Sequence, residues 1–286
     1  MVIKKKVFLF LASFVLIPGL LFTQNNTKMT GTVDWKKGML NIRVESILPD
    51  SDQPLPVRKF NQQQAIQRDF PFYIRESLSN LLIDSNKSFS QVLNESPHLL
   101  LVLDKLASAA IIKTDSLSLD LRTLIMEFEV PLFPFIAEPF LAPGYTPRPP
   151  RFLSWQPSAG FTGLVIYARG DLPVHGERDS QGKTRMASVS PCLFPKIFDQ
   201  DMNLVLSSDL MDQNVLALNG VAIYSHDTLP EDLAIRVGNY PFYTTALGLF
   251  GQNSTDILLP REDVRRLLSR EENRELLRQG RIVIIY

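Results

Sequence analysis

The sequence predicts an α+β fold: an N-terminal hairpin with helices and strands, then a mainly β second half with C-terminal helices and a terminal strand. Three observations carry this. Leu40, Ile42 and Val44 alternate with Asn41, Arg43 and Glu45, the period of a half-buried strand. Ile74, Leu78, Leu81 and Leu82 recur at three- and four-residue spacing, the period of an amphipathic helix. The run Ile282-Val283-Ile284-Ile285 is too apolar for anything but a strand paired into a sheet.

Residues 32–35 and 39–45 read as two strands around the turn Lys36-Lys37-Gly38, and the polar, proline-bearing residues 49–58 as a loop. Helical periodicity runs from 61 to 83, with Pro71 dividing it, because proline lacks the amide that the helix interior needs. A second helical stretch covers 88–110, with Leu99, Val102, Leu103 and Leu106 on one face and Pro97 at a first-turn position. Strands follow at 111–119 and 121–130, the second presenting Leu124, Met126, Phe128 and Val130 to one side.

Residues 131–150 hold seven of the chain's 20 prolines, which excludes helix and central strand. This segment is the expected link between an α+β domain over 24–130 and a β-rich domain over 151–286. Its Phe133, Phe135, Phe140 and Tyr145 predict that it packs along the body. Beyond it, strands are expected at Leu164–Tyr167, 221–224, 242–249 and 256–259, with a hairpin at 193–206. Pro260 opens a helix with Glu262 and Asp263 near its positive end and Val264, Leu267 and Leu268 buried; a further short helix ends at Gly280.

The N-terminus has the layout of a secretory signal. Lys4, Lys5 and Lys6 precede an uncharged run from Val7 to Phe22, which is 16 residues long and carries Pro18-Gly19 near its end. That is shorter than the roughly 20 residues of a membrane-crossing helix. The expectation is a signal peptide over 1–23 and a periplasmic protein; an uncleaved anchor in the inner membrane is the alternative. No later run reaches membrane-spanning length. Without the three leading lysines the 30 basic side chains become 27 against 30 acidic ones, a net charge of −3, which argues against a nucleic-acid partner. Cys192 is the single cysteine, so no intramolecular disulfide can form, and its setting, Pro191-Cys192-Leu193-Phe194-Pro195, predicts a buried, inert thiol.

Motifs for chemistry fail on spacing. Gly176-Glu177-Arg178-Asp179-Ser180-Gln181-Gly182-Lys183-Thr184 has five residues between its glycines where a phosphate-binding loop has four, and it reads as a hairpin tip. Arg169-Gly170-Asp171 spells an adhesion tripeptide but follows a buried strand, where strand exit explains it. His98, His175 and His226 show no paired metal-ligand spacing, no Gly-x-Ser-x-Gly occurs, and nothing calls for a cofactor. The candidate polar site is Arg169, Asp171, His175, Glu177 and Asp199, which lie around expected strand ends.

Phe161-Thr162-Gly163-Leu164-Val165-Ile166-Tyr167-Ala168-Arg169-Gly170, Pro195-Lys196-Ile197-Phe198-Asp199, Gly220-Val221-Ala222-Ile223-Tyr224, Arg236-Val237-Gly238 and the closing Asp256–Pro260 and Ile282–Ile285 strands carry a resemblance. In this order they resemble a family of uncharacterised exported bacterial envelope proteins of the spirochaete type, over most of residues 160–286. That family is distantly similar to exported lipoproteins and to the FlgT-type flagellar-ring protein of the periplasm. Tyr167 stands where the wider family has Asp, and the hairpin over 176–186 is longer than the family's link. The resemblance implies a non-catalytic envelope component with a protein partner, and no catalytic residues. The rival is a periplasmic hydrolase or small-ligand-binding protein built on the candidate polar site.

Overall fold

The computed structural model describes residues 27–141, 147–151, 157–228 and 230–286. The expected signal segment over 1–23 therefore lies outside the described residues. Strands β1 (Thr27–Asp34) and β2 (Met39–Ile47) form the expected hairpin, turning at Gly38 with φ 65°. Leu40, Ile42 and Val44 point into the core, while Arg43 on the other face pairs with Glu45 and with Glu127 across the sheet. Helix α1 (Leu55–Arg68) starts inside the stretch expected as loop, because Pro56 suits a first turn where an amide is unpaired anyway. It stops at Asp69, and α2 (Phe70–Leu78) restarts with Pro71 in its first turn.

A Ser88–Gln91 capping box opens α3 (Phe89–Glu95), and α4 (Leu100–Ala109) follows a 3-10 turn at Pro97–Leu99. Strands β3 (Ile111–Leu117) and β4 (Thr123–Pro131) complete a sheet of order β1-β2-β4-β3. Leu124, Met126, Phe128 and Val130 face the helices as expected, and the Phe128 ring meets Phe70 with centroids 4.1 Å apart. Within the proline-rich segment Leu132, Ile136 and Ala137 are fully buried.

The second half holds two further sheets. Their strands are β5 (Leu164–Tyr167), β6 (Leu172–Arg178), β7 (Thr184–Ala187), β8 (Ile197–Asp199) and β9 (Leu204–Leu206). Helix α5 (Gln213–Asn219), β10 (Ile223–Ser225), α6 (Pro230–Val237), β11 (Phe242–Thr245), β12 (Gly248–Phe250) and β13 (Asp256–Leu259) follow. The chain then runs through α7 (Arg261–Leu268), α8 (Glu271–Arg278) and β14 (Ile282–Ile285). Composition is mixed α+β throughout, but this half carries four helices, and periodicity leaves α5 and α6 unannounced. The stretch 242–249 is not one strand: it leaves one sheet after Thr245 and enters the other at Gly248.

The sheet β10-β14-β5-β11 is parallel throughout. Parallel strands are buried on both faces, which is why β5 and β14 read as unbroken apolar runs. Leu164, Ile166, Ile282 and Ile284 join the main core. Val165, Val283 and Ile285 point the other way and are covered by Leu233 and Val237 of α6. The remaining sheet has the order β7-β6-β12-β13-β8-β9.

The halves are locked together. Leu193 and Phe194 donate their amides to the carbonyls of Leu82 and Ile83 at 3.0 and 2.9 Å, and Asn253 donates to Ser85 at 3.1 Å. Asp256, 1% exposed, accepts from the Lys196 amide at 3.0 Å and from the Ser85 hydroxyl. Burial raises its pKa above the ordinary carboxylate value.

Two outcomes follow. A Cβ at Gly163 would lie 2.5 Å from the Val237 backbone, so Gly163→Ala should cost about 1–3 kcal/mol, read as a lower urea midpoint at unchanged slope. Because the folded-state pKa of Asp256 is raised, its contribution is fully present below the unfolded value of about 3.9 and is lost as pH climbs through the folded value. Asp256→Asn keeps an acceptor for Lys196 and does not titrate. Urea titrations from pH 3.5 to 7 should show it gaining on the wild type as pH rises; a constant difference would refute the assignment.

Candidate functional site

The polar residues expected to form a site are spread over separate partners. Arg169 leaves β5 beside Gly170, whose φ is 77°, and donates to the His226 carbonyl. Asp171 accepts from Ser188 Oγ at 2.9 Å. Glu177 is paired with Arg185 at 2.5 Å, and Arg185 reaches on to Ser254 Oγ at 2.8 Å. Asp199 is buried and organises its own turn, accepting from the amides of Asp201 and Asn203 and from Asn203 Nδ2 at 2.8–2.9 Å. His175 and Glu177 share a cleft, a shallow one of 450 Å³ beside the β6–β7 hairpin; Arg169, Asp171 and Asp199 do not line it.

Among the described residues no three His, Cys, Asp or Glu side chains are grouped to hold a metal ion. The near-phosphate-loop is the tip of that hairpin, where Asp179 Oδ1 accepts from the amides of Gln181 and Lys183.

A larger cleft of 620 Å³ opens where the halves meet. The β1–β2 turn supplies Trp35, Lys36 and Lys37, the proline-rich segment Phe133, and α5 and α6 supply Leu218, Ile235 and Arg236. An aromatic chain fixes the turn on the second half: Trp35 meets Tyr224 edge-on at 5.5 Å, Tyr224 meets Tyr286 at 5.8 Å, and His226 stacks on Tyr286 at 4.2 Å. Lys36 adds an ion pair with Asp227 at 2.7 Å and one with Asp232 at 3.6 Å, and it holds the Asp227 carboxyl below the usual range.

Arg236, in the last turn of α6, is half-buried with its Nε out of contact with solvent, and it donates Nη2 to the Gly220 carbonyl at 3.1 Å. Burial alone brings its pKa down to about 10. Two glycines with positive φ make its seat. A Cβ on Gly280 would press on Arg236 Nη2 at 3.1 Å, and a Cβ on Gly220 would strike the Phe133 ring at 2.7 Å. Sequence reasoning missed this site. Its parts come from five separated stretches, and Arg236 stood out only within the Arg236-Val237-Gly238 resemblance.

Cys192 also lines the cleft, fully buried, with its amide bonded to the Tyr224 hydroxyl at 3.2 Å. Burial pushes its thiol up to about 12, so the expected inert cysteine is what the structure contains. Iodoacetamide at pH 8 should leave the native protein unlabelled and label it fully in urea; native labelling at the rate of a free thiol would contradict this.

No helix among the described residues is long and apolar enough to cross a membrane. No curated protein matches the chain. Family models of one spirochaete protein do match, one in each half: over residues 26–139 the chain is similar to the N-terminal domain of Treponema pallidum Tp0624, and over residues 163–286 to the second domain of that protein.

Proposed function

We propose that the protein is exported and works in the bacterial envelope as a non-catalytic binding module, engaging a protein of the flagellar or outer-envelope machinery at the cleft between its halves. One observation carries the reading. Leu218 and Ile235 stand 62% and 95% exposed at a cleft that Trp35 and Phe133 also line, so apolar side chains face solvent around a concavity. Exposed apolar surface of this kind marks an interaction site. Four of the five polar residues of the rival hydrolase reading, Arg169, Asp171, Glu177 and Asp199, are instead committed to turns, strand exits and ion pairs, and His175 lines a cleft with only Glu177 of them. Support for export comes from Lys4–Lys6 followed by the apolar run to Phe22, and support for an envelope setting from the exported family that residues 160–286 resemble.

A photo-crosslinking side chain placed at position 235 or, as control, at 178 on the exposed hairpin tests the reading in intact cells. The expected result is an adduct with one envelope protein from position 235 and none from 178, on a chain whose N-terminus is Gln24. A cytosolic chain retaining residues 1–23, or equal labelling from both positions, would overturn it.

A further inference from the structure

The charges around the cleft are unequally satisfied. Lys36 lies between Asp227 and Asp232, and Lys37 lies 3.7 Å from Asp34. Arg236 has no carboxylate partner among the described residues. Among the described residues its one side-chain hydrogen-bond partner is the Gly220 carbonyl, and its Nε is buried without an acceptor there. A guanidinium offers five N–H donors, and a buried cation is normally paired. Closing the end of α5 through Gly220 uses one donor and leaves the charge unbalanced. The lowered pKa has the same origin, since burial acts on it with no compensating anion.

The surroundings of that charge are apolar. Trp35, Met39, Phe133, Leu218 and Ile235 line the same 620 Å³ space, a volume suited to a ligand of drug-like size. Gly280 keeps the guanidinium's seat open, since a Cβ there would press on Arg236 Nη2, and Gly220 leaves room for the Phe133 ring that lines the same space.

We infer that the cleft is a binding site for a small amphiphilic carboxylate, with its apolar chain or ring against Trp35, Phe133, Leu218 and Ile235 and its carboxylate on Arg236. The inference rests only on the cleft being a site of binding and goes beyond the protein-partner reading by giving it a small ligand of its own: one negative charge on an apolar body. The charged end supplies the missing counter-ion, through charge-assisted hydrogen bonds that a neutral head cannot match. The apolar body covers side chains otherwise left in water.

Calorimetric titration of the purified full chain with decanoate, below its micelle-forming concentration, tests this, with decanol and decyltrimethylammonium as matched probes. Decanoate should bind saturably, one per chain. Decanol should bind about tenfold or more weakly, the worth of one charged hydrogen bond, and the cation more weakly still. Arg236→Gln should abolish the preference for decanoate over decanol. Should that variant fold poorly through loss of its Gly220 bond, Ile235→Glu gives an independent reading. At an exposed position it leaves melting unchanged and, by repulsion, should weaken decanoate about tenfold.

Equal affinity for decanoate and decanol, or decanoate binding untouched by Ile235→Glu, would overturn the assignment. An adduct from position 235 in cells without decanoate binding would sink the ligand class and leave the binding-module reading standing. Charge-selective decanoate binding without an adduct would do the reverse.

Discussion

A parallel sheet is not stable until both of its faces are covered, and β5 and β14 impose that demand on the whole molecule. Their side chains alternate between two destinations. Leu164, Ile166, Ile282 and Ile284 go to the main core, and Val165, Val283 and Ile285 go to a smaller one. The second destination exists only because α6 lies across it with Leu233 and Val237. Gly163 is glycine because α6 approaches so closely that a side chain there would strike the Val237 backbone. The placing of α6 then fixes Arg236 and Ile235, and with them one wall of the cleft.

The other wall comes from the first half, and the contact between halves is built of backbone as well as side chains. The stretch 82–85 behaves as a short adaptor: Leu82 and Ile83 accept from Leu193 and Phe194, while Ser85 meets Gly251, Asn253 and Asp256. At the far side the β1–β2 turn is held by the Trp35–Tyr224 contact and by Lys36 between two aspartates. The cleft lies beside these attachments, and residues of both halves must keep their places for it to hold its shape.

Much of this was legible in single stretches of sequence. The hairpin, the division of the first helical region at Pro71, the inward face of β4, the buried stripe of α7 and the inert Cys192 each follow from periodicity, proline chemistry or local polarity. Strand order did not follow, because an apolar run states that both faces are buried and not which strands lie beside it. For the same reason 242–249 reads as one strand: Ala246 and Leu247 are as apolar as their neighbours, although the sheet changes there. Helices α5 and α6 are only seven and eight residues long, too short for a clear stripe, and Leu218 and Ile235 point to solvent against the usual pattern. The candidate polar residues were chosen by chemical type near strand ends, and only spatial neighbours reveal that Asp199 is tied into its own turn.

The place of β14 between β5 and β10 also bears on the order of folding. Ile282 pairs with Leu164, more than a hundred residues upstream, so the central pairing of this sheet is among the least local in the chain. Closing so long a loop is entropically unfavourable before any contact rewards it, and non-local parallel pairing is slow for that reason. Until β14 docks, β5 holds an apolar edge open and β10 has no neighbour in its sheet. The first half has one distant pairing of its own, β2 with β4 across four helices, but its β1–β2 and β3–β4 pairs join near neighbours. The second half therefore closes its parallel sheet only when the last strand of the chain arrives.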